Sequence, residues 1–125
     1  MRALVDADAV RRFARALGRA ARTPARIYLT GGATAVLEGW RQSTLDIDIK
    51  VVPDADDVLR ALPDLKDLLN INVELASPDQ FVPVAPGWED RSPFIMREGP
   101  LSFHHFDFVA QALAKIERGH VVREG

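Results

Sequence analysis

The segment that most constrains this chain runs Leu45-Asp46-Ile47-Asp48-Ile49-Lys50-Val51-Val52. Apolar residues at 45, 47, 49 and 51 alternate with Asp46, Asp48 and Lys50, so a strand here sends both carboxylates out of one face. At a rise of about 3.3 Å per residue, the two aspartates stand roughly 6.6 Å apart along it. Side chains on that spacing lean together onto one divalent cation or onto two. Left unpaired, such charges repel by ~1–4 kcal/mol, depending on the effective dielectric, and a bound cation turns that cost into attraction. The plainer alternative is a pair of acids on a solvent-facing edge strand.

What precedes the strand favours the cation site. Arg26 to Thr30 reads as a short buried strand that enters Gly31-Gly32, and a helix follows from Ala33 to about Trp40, with Gly39 near its end. A strand that turns into a helix through glycines lets backbone approach a phosphate closely, and free N–H groups at the helix start favour the anion. Thr30 and Thr34 offer hydroxyls, although Thr34 serves equally well as a packed helix residue. Lys50, on the aspartate face, is a competing cation beside the site.

The rest of the chain supplies the scaffold. Asp6 or Asp8 caps a first helix running to about Arg22, with Val10, Phe13, Ala14 and Leu17 at helical spacing and Arg11, Arg12, Arg15 and Arg19 on solvated faces. Beyond Pro53, Asp54 or Asp56 caps a helical region whose apolar face is Val58, Leu59, Leu62, Leu65, Leu68 and Leu69. Pro63 is expected to split it into two short helices. Asn70 to Ala76 alternates again as a third strand, carrying Glu74 with Asn72 on the same face. Ser77 to Phe81 reads as a helical turn with proline at its first position. Phe94–Arg97 and Leu101–Phe106 flank Glu98-Gly99-Pro100 as a hairpin, and a last helix spans Asp107 to about Arg118. The expected fold is therefore α+β, a central mixed β-sheet flanked by helices, in one domain over residues 1–125. His104 and His105 are adjacent on a strand and point to opposite faces, so they do not share one ion. Trp40, Trp88 and Phe94 are candidates to stack a base, with packing at core or rim the simpler role.

A glycine pair opening a helix, followed by Asp-x-Asp in the next strand, resembles the nucleotidyltransferase superfamily of the DNA polymerase β type. Within it, the likeness is to minimal bacterial nucleotidyltransferases and AbiEii-type toxins. Arg41-Gln42-Ser43-Thr44-Leu45-Asp46-Ile47-Asp48 is similar to their signature around the paired aspartates. Ala76-Ser77-Pro78-x-x-Phe81, Trp88-x-x-Arg91-Ser92 and Ala112-Leu113-Ala114-Lys115-x-x-Arg118-Gly119 are similar to downstream patterns, so the likeness spans roughly Ile27 to Gly119. It implies transfer of a nucleoside monophosphate from a nucleoside triphosphate to an acceptor: a tRNA, a protein or a small molecule. It further implies Mg²⁺ or Mn²⁺ on Asp46, Asp48 and Glu74, with Glu74 as the base for the attacking hydroxyl. Gly31, Gly32, Thr44 and Lys115 would hold the nucleotide, Lys115 meeting the triphosphate tail. Arg41 and Thr44 suit orienting the strand as well as touching nucleotide. In toxin-like relatives the partner is an antitoxin protein. The other reading is a catalytically silent module of the same fold that binds nucleotide or a partner.

In those relatives the lysine helix is followed by an Asp-containing segment and another short helix. Here His120-Val121-Val122-Arg123-Glu124-Gly125 stands where that segment would begin, as in a shortened variant or a fragment. Such a form leaves apolar surface on the last helix, which a homo-oligomer would cover. The large second domain with which nucleotide-specific transferases grip base and acceptor is also missing from the sequence.

Composition narrows the remaining options. A net charge of −2, from 16 basic and 18 acidic residues, exerts no global pull on nucleic acid. Zero cysteines exclude disulfides and thiolate zinc sites and fit a cytoplasmic protein. No apolar run approaches the ~20 residues of a membrane span, so a membrane partner is not expected.

Overall fold

The computed structural model describes the backbone of residues 1–124 and the side chains of residues 1–118. Five strands, β1 (Ala25–Thr30), β2 (Asp46–Val52), β3 (Asn72–Leu75), β4 (Phe94–Glu98) and β5 (Leu101–His105), form one sheet in the order β3-β2-β1-β5-β4. β1 runs antiparallel to β2 and parallel to β5, while β3 lies parallel to β2 and β4 antiparallel to β5. Helices α1 (Ala7–Ala20), α2 (Gly32–Leu37), α3 (Asp56–Leu69) and α4 (Phe108–Glu124) flank it. The fold is α+β with a mixed sheet, as the sequence leads one to expect. The side chains of His120–Val122 and Arg123–Gly125, on which the shortened-variant reading bears, lie outside the described residues.

One face of the sheet is the main core. Ile27, Leu29, Ile47, Ile49, Val51, Leu101 and Phe103 pack there against Val10, Phe13 and Leu17 of α1 and Val58, Leu62 and Leu65 of α3. The second face, set by the alternate residues, carries Tyr28, Phe106, Ala110 and Trp88 as a smaller apolar cluster, and the acids. Alternation thus delivers Asp46 and Asp48 to a face with room for chemistry because Ile47 and Ile49 are claimed by the other.

The helix ends follow local chemistry. Asp6 caps α1 by accepting the Ala9 N–H at 2.8 Å. At α3 the expected aspartate cap is not formed. Ala55 holds the N-cap position, and Asp57 instead accepts the backbone N–H groups of Arg22 and Thr23 at 2.6 and 3.1 Å, stitching α3 to the end of α1. Pro63 does not split the helix. Pro63 sits on the exposed side, while Leu62 and Leu65 keep the buried face continuous. Asn70 adopts a left-handed conformation (φ 55°) that ends α3, so β3 starts at Asn72 rather than at residue 70.

Past β3, Ser77 caps a single 3₁₀ turn, Pro78–Gln80, in a reciprocal capping box with Gln80. The loop that follows is tied to the start of α4. Arg91 donates to Asp107 at 3.3 Å and to the carbonyls of Pro86 and Ala85, and Trp88 stacks on Phe106 with centroids 4.3 Å apart. Trp88 and Arg91 are therefore scaffold for the helix that lines the site.

Candidate functional site

The site is assembled from β2 and β3 first. In their parallel register Asp46 is opposite Asn72 and Asp48 is opposite Glu74, which puts all four on the second face. One carboxylate oxygen from each of Asp46, Asp48 and Glu74 lies within 4.8 Å of the other two. The Asn72 amide donates to Asp46 at 2.6 Å and to Glu74 at 3.1 Å, which spaces the outer acids. Asp48, at the centre, is treated differently. Its Oδ1 is buried and, among the described residues, has no hydrogen-bond partner. Burial, then Glu74 and Asp46, push its carboxyl up to about 6, against the opposing pull of Arg118. A buried anionic oxygen with no donor, facing two further carboxylates, is a deficit of positive charge. Oxygen donors in this number suit Mg²⁺ or Mn²⁺, and these residues fit such an ion.

The glycine turn forms the next wall. Gly31, between β1 and α2, has φ 61° and ψ −128°, a conformation closed to side-chain-bearing residues. A Cβ on it would stand 3.3 Å from Asp48 Oδ2, so the turn lies against the central carboxylate. At Gly32 a Cβ would run into the side chain of Thr44. Thr44 is buried, exchanges both backbone hydrogen bonds with Val5, and backs the turn instead of lining the cavity. The expectation of free N–H groups at the start of α2 is also modified: the Gly31 N–H donates to Gln111 Oε1 at 2.8 Å.

Between the glycine turn, Asp48, the 3₁₀ turn and α4 lies a cavity of about 720 Å³. Its far wall is α4, which contributes Phe108, Gln111, Lys115 and Arg118, and its rim carries Trp40, Arg41 and Phe81. The Arg118 guanidinium lies 4.7 Å from the Phe81 ring centroid, and Trp40 sits 5.9 Å from Phe108 at the mouth. Asp48 thus lines one side of the cavity, with Asp46 and Glu74 beside it on the sheet, and the Lys115 and Arg118 cations line the other. Its volume falls in the range of small-molecule sites, roughly 300–1,000 Å³.

Lys50, expected to compete at the acids, is turned away. Its Nζ pairs with Asp79 at 2.8 Å. Burial opposes the Asp79 charge, but hydrogen bonds from Lys50 and Ser77 outweigh it and hold that carboxyl below its ordinary value. Neither His104 nor His105 joins the acids. His104 packs between Tyr28 and Phe94, its ring nitrogens near the Ser92 carbonyl and the Ser102 hydroxyl. His105, on the opposite face, is 2.9 Å from Thr34 Oγ1, and burial lowers its pKa against the opposing effect of Glu38.

Of the residues singled out in the sequence, the structure brings together Asp46, Asp48 and Glu74, with Gly31, Gly32 and Lys115 around the adjoining cavity; Thr44 lies behind them. Gln111 was not legible, although its spacing from Lys115 and Arg118, four and seven residues, is a helical-face signal. Asn72 was legible as a neighbour of Glu74 but not as its hydrogen-bond partner. No family model, no curated protein and no solved structure matches this chain.

Proposed function

We propose that this chain is a divalent-cation-dependent nucleotidyltransferase that moves a nucleoside monophosphate from a nucleoside triphosphate to an acceptor hydroxyl. The observation that carries the reading is the Asp48 Oδ1, unpartnered among the described residues, beside Asp46 and Glu74 at the wall of a cavity whose far side bears Lys115 and Arg118. Held by Asp46, Asp48 and Glu74, Mg²⁺ or Mn²⁺ would neutralise phosphate charge and acidify the attacking hydroxyl.

The chain's own residues do the rest. Lys115 and Arg118 receive the negative charge of the triphosphate tail, and Arg41 adds a third cation at the rim. The bare glycine turn lets phosphate approach Asp48 without meeting a side chain. Trp40 and Phe81 offer ring faces for a base. In the transfer, the acceptor oxygen bonds to the α-phosphorus as the bond from that phosphorus to the α,β-bridging oxygen breaks. The electron pair of that bond leaves with pyrophosphate, and the hydroxyl proton passes to the Glu74 carboxylate, which is exposed and open to the acceptor.

The test is transfer of label from triphosphates radiolabelled at the α-phosphate to RNA, protein or small-molecule fractions of a cell extract. Label should move with Mn²⁺ or Mg²⁺ and not with Asp46→Asn. Triphosphate binding with no transfer to any fraction would instead identify a catalytically silent binding module.

A further inference from the structure

We infer that Gln111 is a positioning residue that seats the cationic face of α4 opposite the acids; the inference deepens the nucleotidyltransferase reading and rests on it. The Gln111 side-chain amide makes three hydrogen bonds to three parts of the fold. Its Oε1 accepts from the Gly31 N–H at 2.8 Å, and its Nε2 donates to the Phe106 carbonyl at 2.8 Å and to Thr34 Oγ1 at 3.1 Å. The orientation of the amide is forced. Gly31 N–H is only a donor and the Phe106 carbonyl only an acceptor, so the flipped amide would set like against like at both ends.

Gln111, Lys115 and Arg118 are spaced four and seven residues apart and so share one face of α4. The other ties lie toward the ends of that face, from Arg91 to Asp107, from Trp40 and His105 to Phe108, and from Phe81 to Arg118. The buried apolar residues of α4, among the described side chains, are Ala110 and Ala114, whose small side chains resist sliding weakly. Val109, Leu113 and Ile116 are exposed and anchor nothing here. The amide is the hydrogen-bonded tie between the middle of this face and the glycine turn, and it helps set the distance from that turn to the two cations. The same turn touches Asp48 through Gly31. Gln111 thus links the cation-binding strand pair to the phosphate-binding helix without touching the reacting atoms.

The separation of the two sides gives a test that a general structural role does not mimic. Mn²⁺ alone reads the acids on β2 and β3; Mn²⁺ with an α,β-methylene ribonucleoside triphosphate reads acids and α4 together. Gln111→Met preserves volume and removes all three bonds. It should leave Mn²⁺ affinity within about twofold, weaken the non-transferable triphosphate about tenfold or more, and speed hydrogen exchange of the Gly31 amide. Gln111→Glu should weaken the triphosphate as the Met variant does while keeping the Gly31 amide protected, since a carboxylate serves Gly31 but has no donor for Phe106. Four results overturn the inference: triphosphate affinity unchanged in the Met variant, triphosphate affinity increased (Gln111 would then compete with the ligand for Gly31), equal loss of Mn²⁺ and triphosphate binding, or Gln111→Glu behaving as wild type. Wild-type protein that binds Mn²⁺ but no α,β-methylene triphosphate of adenosine, guanosine, cytidine or uridine would overturn the functional reading itself, and this inference with it.

Discussion

Glu74 stands opposite Asp48 across the parallel β2–β3 pair, with their carboxylates on the same sheet face. A slip of one residue in that pairing would send Glu74 into the core and Val73 to the acids. The register is held by Val73, which is buried, and by Ile47 and Ile49 on the same side. Because Glu74 is exposed, its charge is removable without loss of packing. Glu74→Gln should weaken Mn²⁺ about tenfold and leave the unfolding midpoint unchanged or slightly raised. Calorimetric titration with Mn²⁺ and urea denaturation check the two halves. Unchanged Mn²⁺ affinity would remove Glu74 from the site.

Asp48 makes stability depend on pH in a defined direction. Its carboxyl is raised in the fold from 3.8 to about 6, chiefly by burial. Well below the unfolded value of 3.8 both states are protonated and the residue contributes nothing. As pH rises from about 4 to 6 the unfolded chain ionises first, so the metal-free fold loses stability, and above about 6 the loss is complete. The ceiling is about 3 kcal/mol, and solvent screening at this partly exposed group reduces it to roughly half. Asp48→Asn should therefore be more stable than wild type near pH 8 without metal and no more stable near pH 3.5, while Mn²⁺ should stabilise wild type alone. Urea titrations at the two pH values decide it. An Asn variant less stable at pH 8 would make the carboxylate a structural group.

Gly32 meets Thr44 where a Cβ would sit. The glycine is thus required by packing before any ligand arrives. Gly32→Ala should cost about 1–3 kcal/mol, the usual range for overpacking. Combining it with Thr44→Gly should recover part of that loss, since the colliding side chain is gone. The urea midpoints of both singles and the double form a cycle that measures the coupling. Strictly additive losses would contradict the contact.

Asp79 keeps Lys50 from the acids. With Asp79→Asn, Lys50 should become a counter-ion for Asp46 and Asp48 and weaken Mn²⁺ a few-fold at low salt, with the effect fading as salt is added. Lys50→Ala should not weaken Mn²⁺. Mn²⁺ titrations at two ionic strengths give both results; a loss of affinity in Lys50→Ala would place the lysine in a different role.

Much of this architecture was legible in the chain because it is written at period two. Ile47 and Ile49 against Asp46 and Asp48, and Val73 against Asn72 and Glu74, specify strand, face and the meeting of three acids. The misreadings share another cause. Pro63 and the cap of α3 depend on which side of the helix faces water and on what Asp57 reaches across the fold, and neither is local. Thr44 lies beside the aspartates in sequence, yet its pairing with Val5 draws it behind the glycine turn. The cation at residue 50 is disarmed by an aspartate 29 residues away. Gln111 was invisible for the same reason: its partners, Gly31 and Thr34, lie about 80 residues upstream.

On the proposed function, Asp46, Asp48 and Glu74 hold a divalent cation that faces a cavity for a nucleoside triphosphate. Titrating a non-transferable ribonucleoside triphosphate into the protein with Mn²⁺, and again with the metal chelated, tests it most directly in wild type and in the Asp46→Asn/Asp48→Asn double variant. Wild type should bind only when Mn²⁺ is present, and a double variant that remains folded should not bind. Equal binding with the metal chelated, or binding retained by the double variant, would contradict it.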